Sequence, residues 1–223
     1  MILSLAGDGP LGQALRAKIA AKGEELRVAR CSDDDLFVKA CGCRAVVYLP
    51  APRLLDGRLR PEPSPERVRA VLGATNAPGV ELLVVAAPAG YEDEEAALRK
   101  YGCPYVILRT PPLLEEVADD PALHERCAVW LPRGHRVTVA RADGVADEIV
   151  RAMGDDSLQG ATVDAPSEAT DAAEVLRRAA ALGGRASVGT VPAVVDRVVH
   201  HVGRLLRVPQ PPIVRLHERL ASV

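Results

Sequence analysis

Aromatic residues are scarce: one Phe, one Trp and four Tyr in 223 residues. Single-stranded nucleic acid is held on stacked aromatic side chains, so a platform of that kind is excluded. Charge of one sign is lacking too. Lys and Arg number 28 against 30 Asp and Glu, for a net charge of -2 with the signs interspersed. No basic face is left to hold a phosphate backbone. No apolar run approaches the roughly 18 residues that a membrane span needs. Met1-Ile2-Leu3-Ser4-Leu5-Ala6 is apolar but too short for the core of a signal peptide, and no basic segment leads it. Neither nucleic acid nor a membrane is expected as a partner, and a cytoplasmic location is the expectation.

Paired cysteine spacing is also missing. The count is five, at Cys31, Cys41, Cys43, Cys103 and Cys127, and Cys41-Gly42-Cys43 is C-x-C rather than the C-x-x-C of a redox or zinc pair. These read as reduced, buried, structural thiols. His200 and His201 are helix neighbours pointing about 100° apart, which do not share a metal. His124 and His135 have no partner at ligand spacing, so no metal is expected. Ser157, Ser167, Ser187 and Ser222 lack the flanking glycines of a nucleophile elbow.

What is present is an alternation of apolar runs with helical patterns, the signature of βαβ units on a parallel sheet. Strands are read at Met1 to Ala6, Glu25 to Ala29, Ala45 to Leu49, Glu81 to Ala87 and Tyr105 to Leu108. Helices are read at Pro10 to Lys22, from Ser32 and the three aspartates Asp33 to Asp35 to near Gly42, across Val68 to Thr75, and from Glu92 to Tyr101. After residue 110 the rhythm loosens. Val137 to Ala140 reads as a strand, Asp143 to Met153 as a helix, Ala161 to Val163 as a strand and Ala169 to Leu182 as a helix. The apolar face from Val191 to Leu206 marks an amphipathic helix, broken at Pro209, Pro211 and Pro212 before a last short one. The fold expected is α/β: a doubly wound, mostly parallel Rossmann sheet over residues 1–154. A small C-terminal α/β lobe, 155–223, is expected to pack on it and wall the ligand cleft.

Gly7-Asp8-Gly9-Pro10-Leu11-Gly12 is G-x-G-x-x-G between the first strand and the first helix, the context in which this motif binds a dinucleotide. Gly7 is assigned to the tight turn, Gly9 to close approach of a pyrophosphate, and Gly12 to the approach of helix to sheet. The phosphates would meet the helix's free N–H groups and its positive end. Arg30 follows the second strand, 18 residues beyond Gly12. An acidic residue there would accept from the ribose 2′-hydroxyl of NAD, whereas Arg suits the 2′-phosphate of NADP. NADP is therefore the cofactor expected, with NAD as the alternative should one of Asp33 to Asp35 reach the ribose.

Three further stretches carry a resemblance. They are Ala45 to Leu49 followed by Pro50-Ala51-Pro52, Leu82 to Ala87, and the run from Glu95 through Tyr101-Gly102-Cys103-Pro104 to Tyr105-Val106-Ile107-Leu108-Arg109. With the glycine loop and Asp143-Gly144-Val145-Ala146, they resemble the atypical short-chain dehydrogenase/reductase family, in particular its NmrA-like, NAD(P)H-binding members. The resemblance spans essentially the whole chain. It implies cofactor contacts from Leu49, Pro50, Ala51, Ala86 and Ala87 beside the glycine loop, and a substrate side formed near Tyr91 and Arg109.

The departures are specific. The resemblance calls for a Ser after the strand ending at Ala86-Ala87, and Pro88 follows instead. It also calls for a Tyr with Lys four residues on, because one helical turn brings the ammonium beside the phenol. Tyr48, Tyr91, Tyr101 and Tyr105 have Pro52, Glu95, Tyr105 and Arg109 at that position. No catalytic residue is assigned. Three readings stay open: an NADP(H)-sensing or regulatory protein, an NADPH-dependent reductase or isomerase with another proton donor, and a Rossmann scaffold that binds a protein partner without nucleotide.

Overall fold

The structure, a computed structural model, describes residues 1–5, 7–50, 65–88, 91–100, 103–119, 128–132, 136–183 and 187–191. The described residues divide into two compact units. Those within 1–111 and 141–166 form the first, and those within 112–140 and 167–223 the second. Residues 155–166, which a boundary near 154 would put in a C-terminal lobe, thus lie with the first unit, and 112–140 with the second.

The first unit is built on strands β1 (Ile2–Leu5), β2 (Leu26–Ala29), β3 (Ala45–Tyr48), β4 (Leu82–Pro88), β5 (Tyr105–Thr110) and β8 (Thr162–Asp164). They form one parallel sheet in the order β2-β1-β3-β4-β5-β8. Leu5, Tyr48, Val85 and Ile107 stand level across it. Alternate residues point to opposite faces of a strand, and both faces here are apolar. Leu3, Leu5, Val46, Tyr48, Val85 and Ile107 join one cluster with residues of α2 (Leu36–Ala40), α3 (Pro65–Thr75) and α4 (Glu92–Lys100). On the other face Ile2, Val47, Val84, Val106 and Leu108 are buried. So are Leu15 and Ile19 of α1 (Pro10–Ala21), and Val145 and Ile149 of α6 (Ala142–Ala152), the two helices that pack together. Helices on both faces explain why the strands read as unbroken apolar runs.

Two expected helices start late. The one placed at Ser32 is confined to Leu36–Ala40, and its cap residue Asp35 makes no side-chain capping bond. Asp33 is drawn away from any capping role: its carboxylate accepts from the Arg30 N–H at 3.1 Å and from Lys39 Nζ at 2.8 Å. The helix expected from Ala169 begins at Ala172, as α7 (Ala172–Gly183), because Ser167–Asp171 forms strand β9 antiparallel to β7 (Arg136–Ala140). Asp171 then accepts from the Ala173 N–H at 2.8 Å, the bond that starts the helix.

The second unit adds α5 (Leu114–Ala118) and a parallel pair, β6 (Ala128–Pro132) with β10 (Ser187–Val191). None of these three was expected from sequence. Leu114 and Val117 of α5, Val137 and Val139 of β7, and Val175, Leu176 and Ala179 of α7 make its core. Val191, read as the first residue of an apolar helix face, closes β10; the rest of that amphipathic helix, through Leu206, and the short helix after it fall beyond the last described residue. No described helix is long and apolar enough to cross a membrane.

Glu116 is the unusual charge of this unit. Loss of water around its half-buried carboxyl raises its pKa to about 7, against a smaller opposing pull from the Leu113 backbone. A carboxyl whose folded pKa lies above its unfolded value binds an extra proton in the folded state, so its contribution is most favourable at low pH. Stability should fall as pH rises from about 4.5 to about 7 and then level off. Glu116→Gln should flatten that part of the profile in urea titrations at pH 4.5, 6 and 7.5. An unchanged slope would place the titration elsewhere.

Candidate dinucleotide site

The order β2-β1-β3-β4-β5 reverses direction between β1 and β3, and ligands of open parallel sheets lie outside the carboxyl ends of the strands at such a point. The glycine loop leaves β1 there. Leu49 follows β3 on the other side of the gap, with its N–H bonded to the Leu5 carbonyl at 3.0 Å. Leu49 and Pro50 are both buried.

Each glycine of the loop has its own reason. At Gly12 a Cβ would stand 1.8 Å from the Gly7 carbonyl oxygen, so only a hydrogen fits between the first turn of α1 and the loop. At Gly7 a Cβ would come within 2.7 Å of Ser4 Oγ and 3.6 Å of Leu49 Cδ1. Its role is thus close packing over β1, and it is not among the glycines with positive φ. Gly9 caps α1 in ordinary extended backbone, with φ -85° and ψ -175°, and a Cβ there would meet no described atom within 4 Å. Among the described residues the space in front of Gly9 is open, at the end of a helix whose first N–H groups have no partner within the helix. Pro10 opens that helix, where its missing N–H costs nothing, and Leu11 is buried. Ser4 Oγ, beneath the loop, is buried and has no hydrogen-bond partner among the described residues.

At the end of β2, Arg30 is exposed, and its Nη2 lies 3.5 Å from Asp8 Oδ2. The loop and the end of β2 are thereby joined by charge. Lys39 stands between Asp33 and Asp35, at 2.8 and 2.9 Å. It holds the Asp33 carboxyl below its usual range, aided by the Arg30 N–H, while the two aspartates push the Lys39 ammonium up. Asp33 and Asp35 are therefore engaged by Lys39, while Arg30 and Asp34 both stand exposed at the strand end.

The other end of the edge lies at β4 and β5. Strands lie about 4.8 Å apart, which puts β5 about 14 Å from β1 across β3 and β4. Ala86 and Ala87 are buried near the end of β4, and Ala87 stands opposite Arg109. Tyr91, just before α4, is buried in the cluster that holds Ala87 and Ile107. Its partner four residues on, Glu95, is buried as well and forms an ion pair with Arg109. Arg99 Nη2 lies 3.6 Å from the other Glu95 oxygen and donates to Thr162 Oγ1 at 2.8 Å. Sequence reasoning treated Glu95 only as the absence of a lysine and passed over Arg99. The signal was there, since Tyr91, Glu95 and Arg99 recur every four residues and so share a helix face.

Of the residues expected at the site, Gly7, Asp8, Gly9, Gly12, Arg30 and Leu49 come together at the β1–β3 end. Ala87, Tyr91 and Arg109 come together at the β4–β5 end, and Ala51 lies outside the described residues. No disulfide joins two of the described cysteines, and burial pushes the Cys43 and Cys103 thiols up, which disfavours a thiolate. Among the described residues no cluster of His, Cys, Asp and Glu could hold a metal.

No protein-family model matches the sequence, and no curated protein matches it. Solved structures do. One is a nucleoside-diphosphate-sugar epimerase from Staphylococcus aureus, at 13% identity and TM-score 0.66, covering 99% of this chain and 90% of that one. A second is a short-chain dehydrogenase/reductase superfamily protein from Agrobacterium tumefaciens with bound NAD, at 17% identity and TM-score 0.63, covering 100% and 96%. A third is an NADPH-dependent quinone oxidoreductase from Escherichia coli complexed with NADPH, at 18% identity and TM-score 0.61, covering 100% and 88%. At these identities the likeness is one of fold.

The glycine geometry separates two kinds of substitution. Gly12→Ala must force α1 away from the loop, and overpacking of this sort costs about 1–3 kcal/mol. Gly9→Ala meets no described atom within 4 Å and should stay within about 0.5 kcal/mol of the parent. Urea unfolding of the two variants checks this, and equal midpoints would mean that α1 does not press on Gly7.

Proposed function

We propose that the chain is a cytoplasmic NADP(H)-binding protein of the atypical short-chain dehydrogenase/reductase kind, NmrA-like. In this reading it senses the cofactor and acts through a partner rather than by Tyr-Lys hydride chemistry. The observation that carries the reading is the open space before Gly9 at the start of α1, with the exposed Arg30 across from Asp8. A pyrophosphate fits the first, against the helix N–H groups, and a 2′-phosphate fits the second. The structural neighbours with bound NAD and NADPH support a dinucleotide along this edge. The sensing role is supported by the Tyr91 turn. The residue one helical turn on is a buried carboxylate paired with Arg109, so that turn brings no ammonium to the phenol.

A second reading, an NADPH-dependent reductase or isomerase, is favoured by one feature: Arg109 is a partly exposed cation at the β5 end of the edge. On that reading the proton comes from a group other than Tyr91. Tyr91→Phe should then leave cofactor binding and any turnover unchanged.

Calorimetric titration with NADPH, NADP, NADH and NAD tests the proposal. The parent should prefer the phosphorylated pair. Arg30→Asp should erase or reverse the preference by roughly 10- to 150-fold, the value of a charge-assisted hydrogen bond of about 1.5–3 kcal/mol. Gly9→Val should weaken binding at least ~100-fold, or about 2.7 kcal/mol. Because a Cβ there meets no described atom within 4 Å, its melting temperature should stay close to the parent's. A Gly9→Val protein that binds as tightly as the parent would sink the site, and a parent preferring NADH would move the ribose contact from Arg30 to an aspartate.

A further inference from the structure

We propose that Arg109, held in place by Glu95, is an anion-binding residue that takes a carboxylate or phosphate group of a second ligand beside the dinucleotide. The proposal rests on the dinucleotide reading for what lies next to it, and on the side chains of this cluster for the rest. The Glu95 side chain is only 3% exposed, whereas those of Arg109 and Arg99 are 31% and 42% exposed. A carboxylate buried to that degree needs a paired cation, and one guanidinium supplies it. Two guanidiniums converge on this one, so the three groups together carry one surplus positive charge.

The two arginines differ in what else holds them. Arg99 is also tied to Thr162 on the edge strand β8. Arg109 gives one nitrogen, Nη1, to Glu95 and emerges at the carboxyl rim of β5, where ligands of this fold lie. A guanidinium carries five N–H donors in a planar fork, so anchoring by one nitrogen fixes its plane and leaves donors for an oxyanion. On β4 its register partner is the uncharged Ala87, and on β8 it is Asp164, which offsets part of its charge but forms no ion pair with it among the described residues. Tyr91 and Leu98 of the same helix side lie in the apolar cluster. A cation with an apolar floor, held from below and open at the rim, fits a small organic acid or phosphate ester better than a neutral ligand. Glu95 acts through Arg109 and is a positioning residue.

The test is calorimetric titration of the full chain, saturated with NADPH so that phosphate cannot seat on the glycine loop, with succinate and separately with methyl phosphate. One of the two should bind, and which one binds fixes the class of anion. Arg109→Gln should weaken that binding by roughly 10-fold or more, the loss of a charge-assisted hydrogen bond, with NADPH affinity unchanged. Glu95→Gln separates positioning from simple charge. It adds a net positive charge, so Coulomb attraction alone predicts tighter binding, whereas loss of the anchor predicts weaker binding that Glu95→Asp partly restores. If Arg109→Gln does not fold, Arg109→Lys keeps the pair but loses the fork, and weaker binding is again expected. Failure of both probes to bind NADPH-loaded protein, or parent-like affinity in the Arg109 variant, overturns the proposal. If NADPH itself does not bind, the dinucleotide reading fails alone. Titration of the unliganded chain, comparing Arg109→Gln with Arg30→Gln, then decides whether the anion sits at Arg109.

Discussion

The contact between Gly12 and Gly7 sets the geometry of everything at the sheet's carboxyl edge. With 1.8 Å between a notional Cβ and a carbonyl oxygen, α1 can begin only where its third residue is glycine. That contact fixes where the helix axis starts relative to β1, and hence where its unpaired N–H groups stand. It also carries α1 along the sheet so that Leu15 and Ile19 are buried with β1 and β3 residues and α6 can pack beside them. The Lys18 ammonium, 2.9 Å from Asp147 and 3.3 Å from Asp143, then ties the exposed sides of those two helices. Such exposed pairs contribute little to stability. The apolar packing beneath them is what holds.

Charge is arranged differently at the two ends of this edge. Near β2 the groups are exposed or, at Asp33, half-buried, and Asp8, Asp33 and Asp35 each stand beside Arg30 or Lys39 at the surface. Pairs of that sort exchange partners at little cost. Near β5 the anchoring carboxylate is buried, and its removal would strand two guanidiniums. The first end suits a ligand that must displace a weak internal contact. The second suits one that arrives at a cation already oriented.

The central strands and the glycine loop were legible because their causes are local: unbroken apolar runs, and a motif between a strand and a helix. The start of α2 was not, since Asp33 is claimed by Arg30 and Lys39 and so leaves the cap that its position suggests. Strand β9, Ser-Glu-Ala-Thr-Asp, carries almost no apolar signal and owes its form to pairing with β7, a partner some 30 residues earlier in the chain. The Glu95–Arg109 pair was invisible for a related reason. Each residue could be read on its own element, but their meeting depends on α4 packing over the end of β5.

The way the chain passes between the two units bears on how it is made. Residues 112–140 belong to the second unit, yet α6 and β8, which complete the first, come after them, and β9, α7 and β10 come later still. During synthesis β1 to β5 emerge with one helix layer available and the other half-built, since α1 must wait for α6, more than a hundred residues on, to cover it. Contacts of such sequence separation are slow to form because a long loop must close first. Neither unit can therefore be finished before the other has begun, and a nascent chain halted near residue 140 would show water the apolar groove in which α6 belongs.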